Sequence, residues 1–161
     1  MFRKLYFKDC YVANSLNLAI AKFCLNLKSL NTTFSNDESE TLKVILNNCQ
    51  QLESIKILYD DYDDCADLNE GELLEVVAKY SPKSFYELKI SYGYGVHSKL
   101  FSEKLEFFFI NWMNRVPQKP LSFNIIKKYN AKSLVVKEEN MKVIEKYIKL
   151  GIIKKFKTKE E

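Results

Sequence analysis

Glycine and proline are scarce in this chain, four and three residues respectively, and that scarcity excludes flexible Gly/Ser tethers and Pro-rich spacers. The sequence therefore reads as a single continuous domain over residues 1–161, within the usual size of one hydrophobic core. Histidine is scarcer still, because His97 stands alone. Cys10, Cys24, Cys49 and Cys65 are widely separated and include no C-x-x-C pair, so a structural zinc site is not expected. Long apolar runs are missing too. MFRKLYFKDC is charged from its third residue, and YVANSLNLAIAKFCLNL is broken by asparagines and Lys22, so neither a signal peptide nor a membrane span is expected. Reduced thiols in an intracellular setting, cytoplasmic or nuclear, are the simpler expectation, with buried cysteines acting as small apolar residues.

What the chain does have is core material: 47% of residues are hydrophobic and 14% aromatic, far from a disordered composition. The net charge of +4 is unevenly spread. Asp60, Asp61, Asp63, Asp64, Asp67, Glu70, Glu72 and Glu75 form a wholly acidic run, while lysines crowd the carboxy-terminal stretch. Opposite ends should carry opposite potentials.

A repeat organises the sequence. CLNLKSLNT, CQQLESIKI, PKSFYELKI, PQKPLSFNI and LGIIKKFKT share one register. Its first anchors are Cys24, Cys49, Pro82, Pro117 and Leu150, and its second are Leu27, Leu52, Phe85, Pro120 and Ile153, of which only Pro120 fits poorly. The third column is Leu30, Ile55, Leu88, Phe123 and Phe156, and the fourth is Thr32, Ile57, Ile90, Ile125 and Thr158. These last two alternate as a strand with one buried face requires. Phe2, Leu5 and Phe7 supply a sixth copy without its leading anchor, and on this reading the chain is the carboxy-terminal part of a longer array.

Helical patterns lie between the strands. Residues 39–48 place Leu42, Ile45 and Leu46 on one face with Ser39 as the cap, and residues 69–80 place Leu73, Leu74 and Val77 likewise. Residues 102–113 carry Leu105, Phe108, Phe109 and Trp112, and 138–149 carry Met141, Ile144, Tyr147 and Ile148. A one-faced strand and a one-faced helix must stack with neighbouring units to bury both surfaces. The predicted fold is thus α/β: a leucine-rich-repeat solenoid with parallel strands on the concave face and helices on the convex face. A doubly wound α/β fold would instead show strands apolar on both faces, which ESIKI and YELKI are not.

The pattern C-x-x-L-x-x-[LI]-x-[TI] at Cys24–Thr32 and Cys49–Ile57 resembles the cysteine-containing leucine-rich repeat of F-box proteins, the substrate receptors of cullin-type ubiquitin ligases. KYSPKSFYELKI, LEFFFINWMNR and NMKVIEKYIKLGIIKKFKT look like the carboxy-terminal repeats of fungal F-box-like proteins. The resemblance implies protein recognition by the repeats. It does not extend to the polar ladder after each strand, where only Cys10 conforms and Ser35, Asp60, Gly93 and Lys128 stand elsewhere. Nothing resembling the F-box precedes the repeats, so docking on a ligase adaptor is not expected from these residues.

Chemical motifs are weak by comparison. Asp61, Asp63 and Glu72 fall at places one, three and twelve of a calcium loop, but Cys65 and Ala66 stand where an oxygen ligand and the turn glycine belong. YGYG lacks both phosphate-cradling signatures. His97 has no recognisable nucleophile nearby, and neither an enzyme nor a cofactor is expected. Phe107, Phe108, Phe109 and Trp112 read as core, with Phe107 facing outward. Acidic neighbours and the small net charge argue that the lysine-rich tail is a solvated edge rather than a nucleic-acid or lipid contact.

The remaining candidate is the strand surface between the buried anchors, where an unidentified protein partner is expected. It comprises Lys28, Ser29 and Asn31, then Glu53, Ser54 and Lys56, then Tyr86, Glu87 and Lys89, continued by Ser122, Asn124, Lys154, Lys155 and Lys157. Tyr86 is the expected anchoring aromatic. The alternative expectation is a structural or regulatory fragment that self-associates through its open amino-terminal edge.

Overall fold

The computed structural model describes residues 4–6, 10–34, 38–59 and 69–161, with side chains described from residue 16 onward. Strands and helices alternate in the order β1 (Lys4–Tyr6), α1 (Cys10–Phe23), β2 (Ser29–Thr32), α2 (Ser39–Asn48), β3 (Ser54–Tyr59), α3 (Glu70–Tyr80), β4 (Glu87–Tyr92), α4 (Ser102–Met113), β5 (Leu121–Lys127), α5 (Glu138–Lys149) and β6 (Ile153–Glu160). A short 3-10 turn at Leu134–Val136 precedes α5.

The strands form one all-parallel sheet in chain order. Parallel neighbours need a crossover, and each helix packs on the next, from α1 on α2 to α4 on α5. The crossovers therefore lie on one side of the sheet, and among the described residues the other face carries no helix.

Register explains why the repeat was readable. Leu5, Leu30, Ile55, Leu88, Phe123 and Phe156 pair laterally as one row across all six strands. Thr32, Ile57, Ile90, Ile125 and Thr158 form the next inward row. Leu30, Ile55, Leu88 and Phe123 are fully buried, each contributing about 1.5–3 kcal/mol by leaving water. The helices contribute the facing layer, in which Phe108, Phe109 and Trp112 of α4 meet Phe85 in the segment before β4, Phe123 of β5 and Tyr147 of α5.

Several sequence expectations need correction. Ser39 is inside α2, and Glu38 occupies the cap without a side-chain cap bond; Glu38 is instead turned inward, where its carboxylate accepts from Asn17 Nδ2 at 3.3 Å. The buried second anchor of the fifth unit is Leu121, not Pro120, which is exposed. That change leaves Leu121 one residue closer to Phe123 than Ile153 is to Phe156, and the mismatch is absorbed by a register shift in which Lys154 is the extra residue. Pro117 and Leu150, read as first anchors, are exposed. Helix α1 is an element that the helical patterns did not single out.

Cys49 behaves as the repeat reading expects. Its buried thiol donates to the Cys24 carbonyl at 3.3 Å, and burial pushes its pKa up to about 11. Because the thiolate is the nucleophile, Cys49 should resist alkylation at pH 8 in the native protein and react on unfolding in urea. Mass-spectrometric mapping of the alkylated peptides reads the difference directly, and comparable native and unfolded rates would contradict it. Cys10, by its side chain, and Cys65 lie outside the described residues.

Buried polar side chains fasten the loops that follow the strands. Asn17 on α1 donates to the Thr33 carbonyl at 3.0 Å and accepts from Thr32 Oγ1 at 3.0 Å. Asn140 on α5 donates to the carbonyls of Leu134 at 2.8 Å and Leu100 at 3.3 Å. Glu70, at the start of α3, accepts from Tyr92 and from the loop that follows β4. Each ties a loop after a strand to a helix, so that buried backbone groups keep partners.

Candidate functional site

Alternation along each strand sends every second residue to the helix-free face. One such row is Ser29, Ser54, Glu87, Ser122 and Lys155, and the next is Asn31, Lys56, Lys89, Asn124 and Lys157. Eight of the fourteen expected surface residues from Lys28 to Lys157 thus fall into the two rows on β2 to β5, and Lys155 and Lys157 extend them onto β6. Lys28, Glu53, Tyr86 and Lys154 lie one position outside these rows, at the entry to the strands or at the β6 bulge.

Polar contacts run across this face, both between neighbouring strands and along them. Ser54 Oγ donates to Ser29 Oγ at 2.8 Å. Lys28 Nζ meets Glu53 at 3.0 Å and Lys89 Nζ meets Glu87 at 2.9 Å. Asn124 Nδ2 donates to Glu87 Oε1 and to Ser122 Oγ, both at 3.1 Å. The exposed pairs among these contribute little stability. Their consequence is geometric: Glu87 is held between Lys89 and Asn124, and its orientation is set.

Two groups on the face are left incompletely satisfied. Asn31 Oδ1 and Asn124 Oδ1 are buried without a hydrogen-bond partner among the described residues, and Asn124 is only 8% exposed. A buried acceptor without a donor is unfavourable by about 1–3 kcal/mol. Lys56 is also placed unfavourably for its charge. Burial pulls its ammonium below the ordinary lysine range, with Lys128, Lys89 and Lys159 acting in the same direction and Glu161 opposing them.

Toward the amino-terminal ends of β4 to β6 the face deepens into a hollow of about 520 Å³, lined by Tyr86, Glu87, Pro120, Ser122, Lys154 and Lys155. Tyr86 is 45% exposed, so its ring is available at the rim. The backbone holds this corner firmly: Tyr86 N–H donates to the Glu53 carbonyl at 2.9 Å, and its own carbonyl accepts from Ser122 N–H at 2.7 Å. Five residues expected from sequence, Tyr86, Glu87, Ser122, Lys154 and Lys155, are brought together here. Pro120 was missed as a surface residue because it was assigned to the core.

Other candidates are accounted for by packing. His97 forms a lone parallel bridge with Lys132, joining the loops after β4 and β5, and it does not line the hollow. Asp61 and Asp63 lie outside the described residues, and no cluster of potential metal ligands occurs among the described ones. Phe108, Phe109 and Trp112 are core and Phe107 is outward, as their spacing suggests. No helix among the described residues is long and apolar enough to cross a membrane. No family model, curated protein or solved structure matches the chain.

Proposed function

We propose that the chain is a leucine-rich-repeat solenoid that serves as a non-catalytic protein-interaction module, similar in kind to the substrate-recognition region of an F-box receptor. It takes a polypeptide on the helix-free strand face. The observation that carries this reading is the hollow in which Tyr86, Glu87, Ser122 and Lys154 converge from three adjacent strand segments. It sets an exposed tyrosine, a residue type enriched at interaction hot spots, within a rim of charged and hydroxyl groups.

Strands in sequential parallel order with helices on one side are the arrangement of stacked repeats, which curl toward the helix-free face. Recruitment of a ligase adaptor forms no part of the reading.

Affinity capture with the immobilised chain tests it. Proteins retained by wild type should be lost from Tyr86→Ala, with at least about a tenfold fall in affinity for a residue that anchors an interface, and weakened by Glu53→Lys and Glu87→Lys. If those three variants retain the same proteins and the chain instead dimerises through the β1 strand carrying Leu5, self-association replaces this reading.

A further inference from the structure

We propose that the polypeptide taken by the helix-free face is an acidic, extended segment, held by Lys56, Lys155 and Lys157. This rests on the reading that the face binds a polypeptide, and it specifies the chemistry of that partner.

Charge on the β3–β6 half of the face is strongly one-sided. Lys56, Lys89, Lys155, Lys157 and Lys159 all occupy strand positions of the same parity on this side, and Lys128 continues it beyond β5. The carboxylates that share the side are already engaged. Glu87 is taken by Lys89 at 2.9 Å and by Asn124 at 3.1 Å, and Glu161 is divided between Lys159 at 2.9 Å and Lys128 at 3.5 Å. Lys56, Lys154, Lys155 and Lys157 form no ion pair among the described residues. Clustered like charges raise the free energy of the unbound face, and a carboxylate-bearing ligand relieves it.

Spacing selects the form of the ligand. Lys155, Lys157 and Lys159 recur at every second residue of β6, about 6.7 Å apart, which is also the repeat between like-facing side chains of an extended peptide. Glu87 and Glu161 separate a polypeptide from a nucleic acid: they lie inside the lysine field, where a uniformly charged phosphate chain would be repelled and a polypeptide can place a neutral residue.

Fluorescence anisotropy on the full chain decides the matter with three probes: a labelled peptide alternating Glu and Ser, the same peptide with Gln for Glu, and a labelled single-stranded DNA oligonucleotide. The acidic peptide should bind with the highest affinity and weaken as salt rises. Lys155→Glu/Lys157→Glu should weaken it about tenfold or more, while Lys142→Glu/Lys149→Glu on α5, the same charge change on the helix side, should leave it unchanged. Equal binding of the Gln peptide, with loss in Tyr86→Ala, would overturn the acidic partner and keep the open-face reading. Acidic-peptide binding indifferent to both Tyr86→Ala and the β6 variant would overturn both. Tighter binding of the oligonucleotide, lost in the β6 variant, would replace the partner with nucleic acid. Failure of every probe to bind would leave the lysines as charges guarding an edge strand and would also overturn the proposal.

Discussion

Replacing Glu70 with Ala should destabilise the protein by about 3 kcal/mol or more and loosen the loop after β4 before the rest of the sheet. The carboxylate is 7% exposed and gathers donors from three kinds of group. Tyr92 Oη donates to it at 2.6 Å, Ser98 Oγ at 2.8 and 2.9 Å, and the backbone N–H groups of Lys99 and Leu100 at 2.8 and 3.0 Å. Alanine would take this acceptor from the buried phenol, the Ser98 hydroxyl and the two amides, of which Leu100 N–H keeps Ser98 Oγ at 3.3 Å; a buried donor left unsatisfied is unfavourable by about 1–3 kcal/mol. Glu70 also stands in the first turn of α3, where a negative charge suits the helix dipole. Burial, reinforced by Glu70, pushes the phenols of Tyr59 and Tyr92 well above the ordinary tyrosine range; their rings stack at 5.5 Å. Urea unfolding should show a lower midpoint for Glu70→Ala, and hydrogen exchange should show early loss of protection at Lys99 and Leu100. Tyr92→Phe should lose less, because it removes one donor together with its demand for a partner. A midpoint unchanged in Glu70→Ala would mean that this carboxylate does not hold the loop after β4.

Phe109→Ala should have an effect of similar size, about 3–5 kcal/mol, through a different mechanism. Phe109 is fully buried and joins three elements: its ring centroid lies 5.0 Å from Phe108, 5.6 Å from Phe123 of β5 and 5.0 Å from Tyr147 of α5. Truncation removes the transfer free energy of the ring and leaves a cavity that packed neighbours fill only in part. Phe107→Ala is the internal control. The adjacent side chain is 46% exposed, and its removal should change stability by less than about 1 kcal/mol. Equal losses for the two variants would mean that α4 is not seated as described.

The contrast between these neighbours shows what sequence can reach. The α4 and α5 patterns matched the observed bounds, and α3 was displaced by a single residue, because amphipathic spacing is local. The third and fourth anchor columns were equally legible, since a parallel strand with one buried face must alternate. Helix α1 was harder. Its stretch contains Asn14 and Asn17, poor helix residues that interrupt an apolar face, yet Asn17 is fully buried because it bonds Thr32 and Thr33 across the chain. Glu70 was hidden in the same way. Set among aspartates it reads as a solvated charge, and only the return of residues 98–100 to the start of α3 turns it into a buried acceptor. The exchange of Pro120 for Leu121 likewise becomes visible only when β5 is laid beside β6 and the extra residue at Lys154 is seen.

Sequence by itself determined that strands and helices alternate and which residues of most of them turn inward, because both depend on side-chain periods of two and about 3.6 residues. Tertiary structure decided the rest. Sequential parallel pairing placed the helices on one side, converged Tyr86, Glu87, Ser122 and Lys154 on one hollow, and gathered lysines from separate strands around an unpartnered Asn124 oxygen. Those arrangements join residues far apart in the chain, and no local period encodes a distance in space.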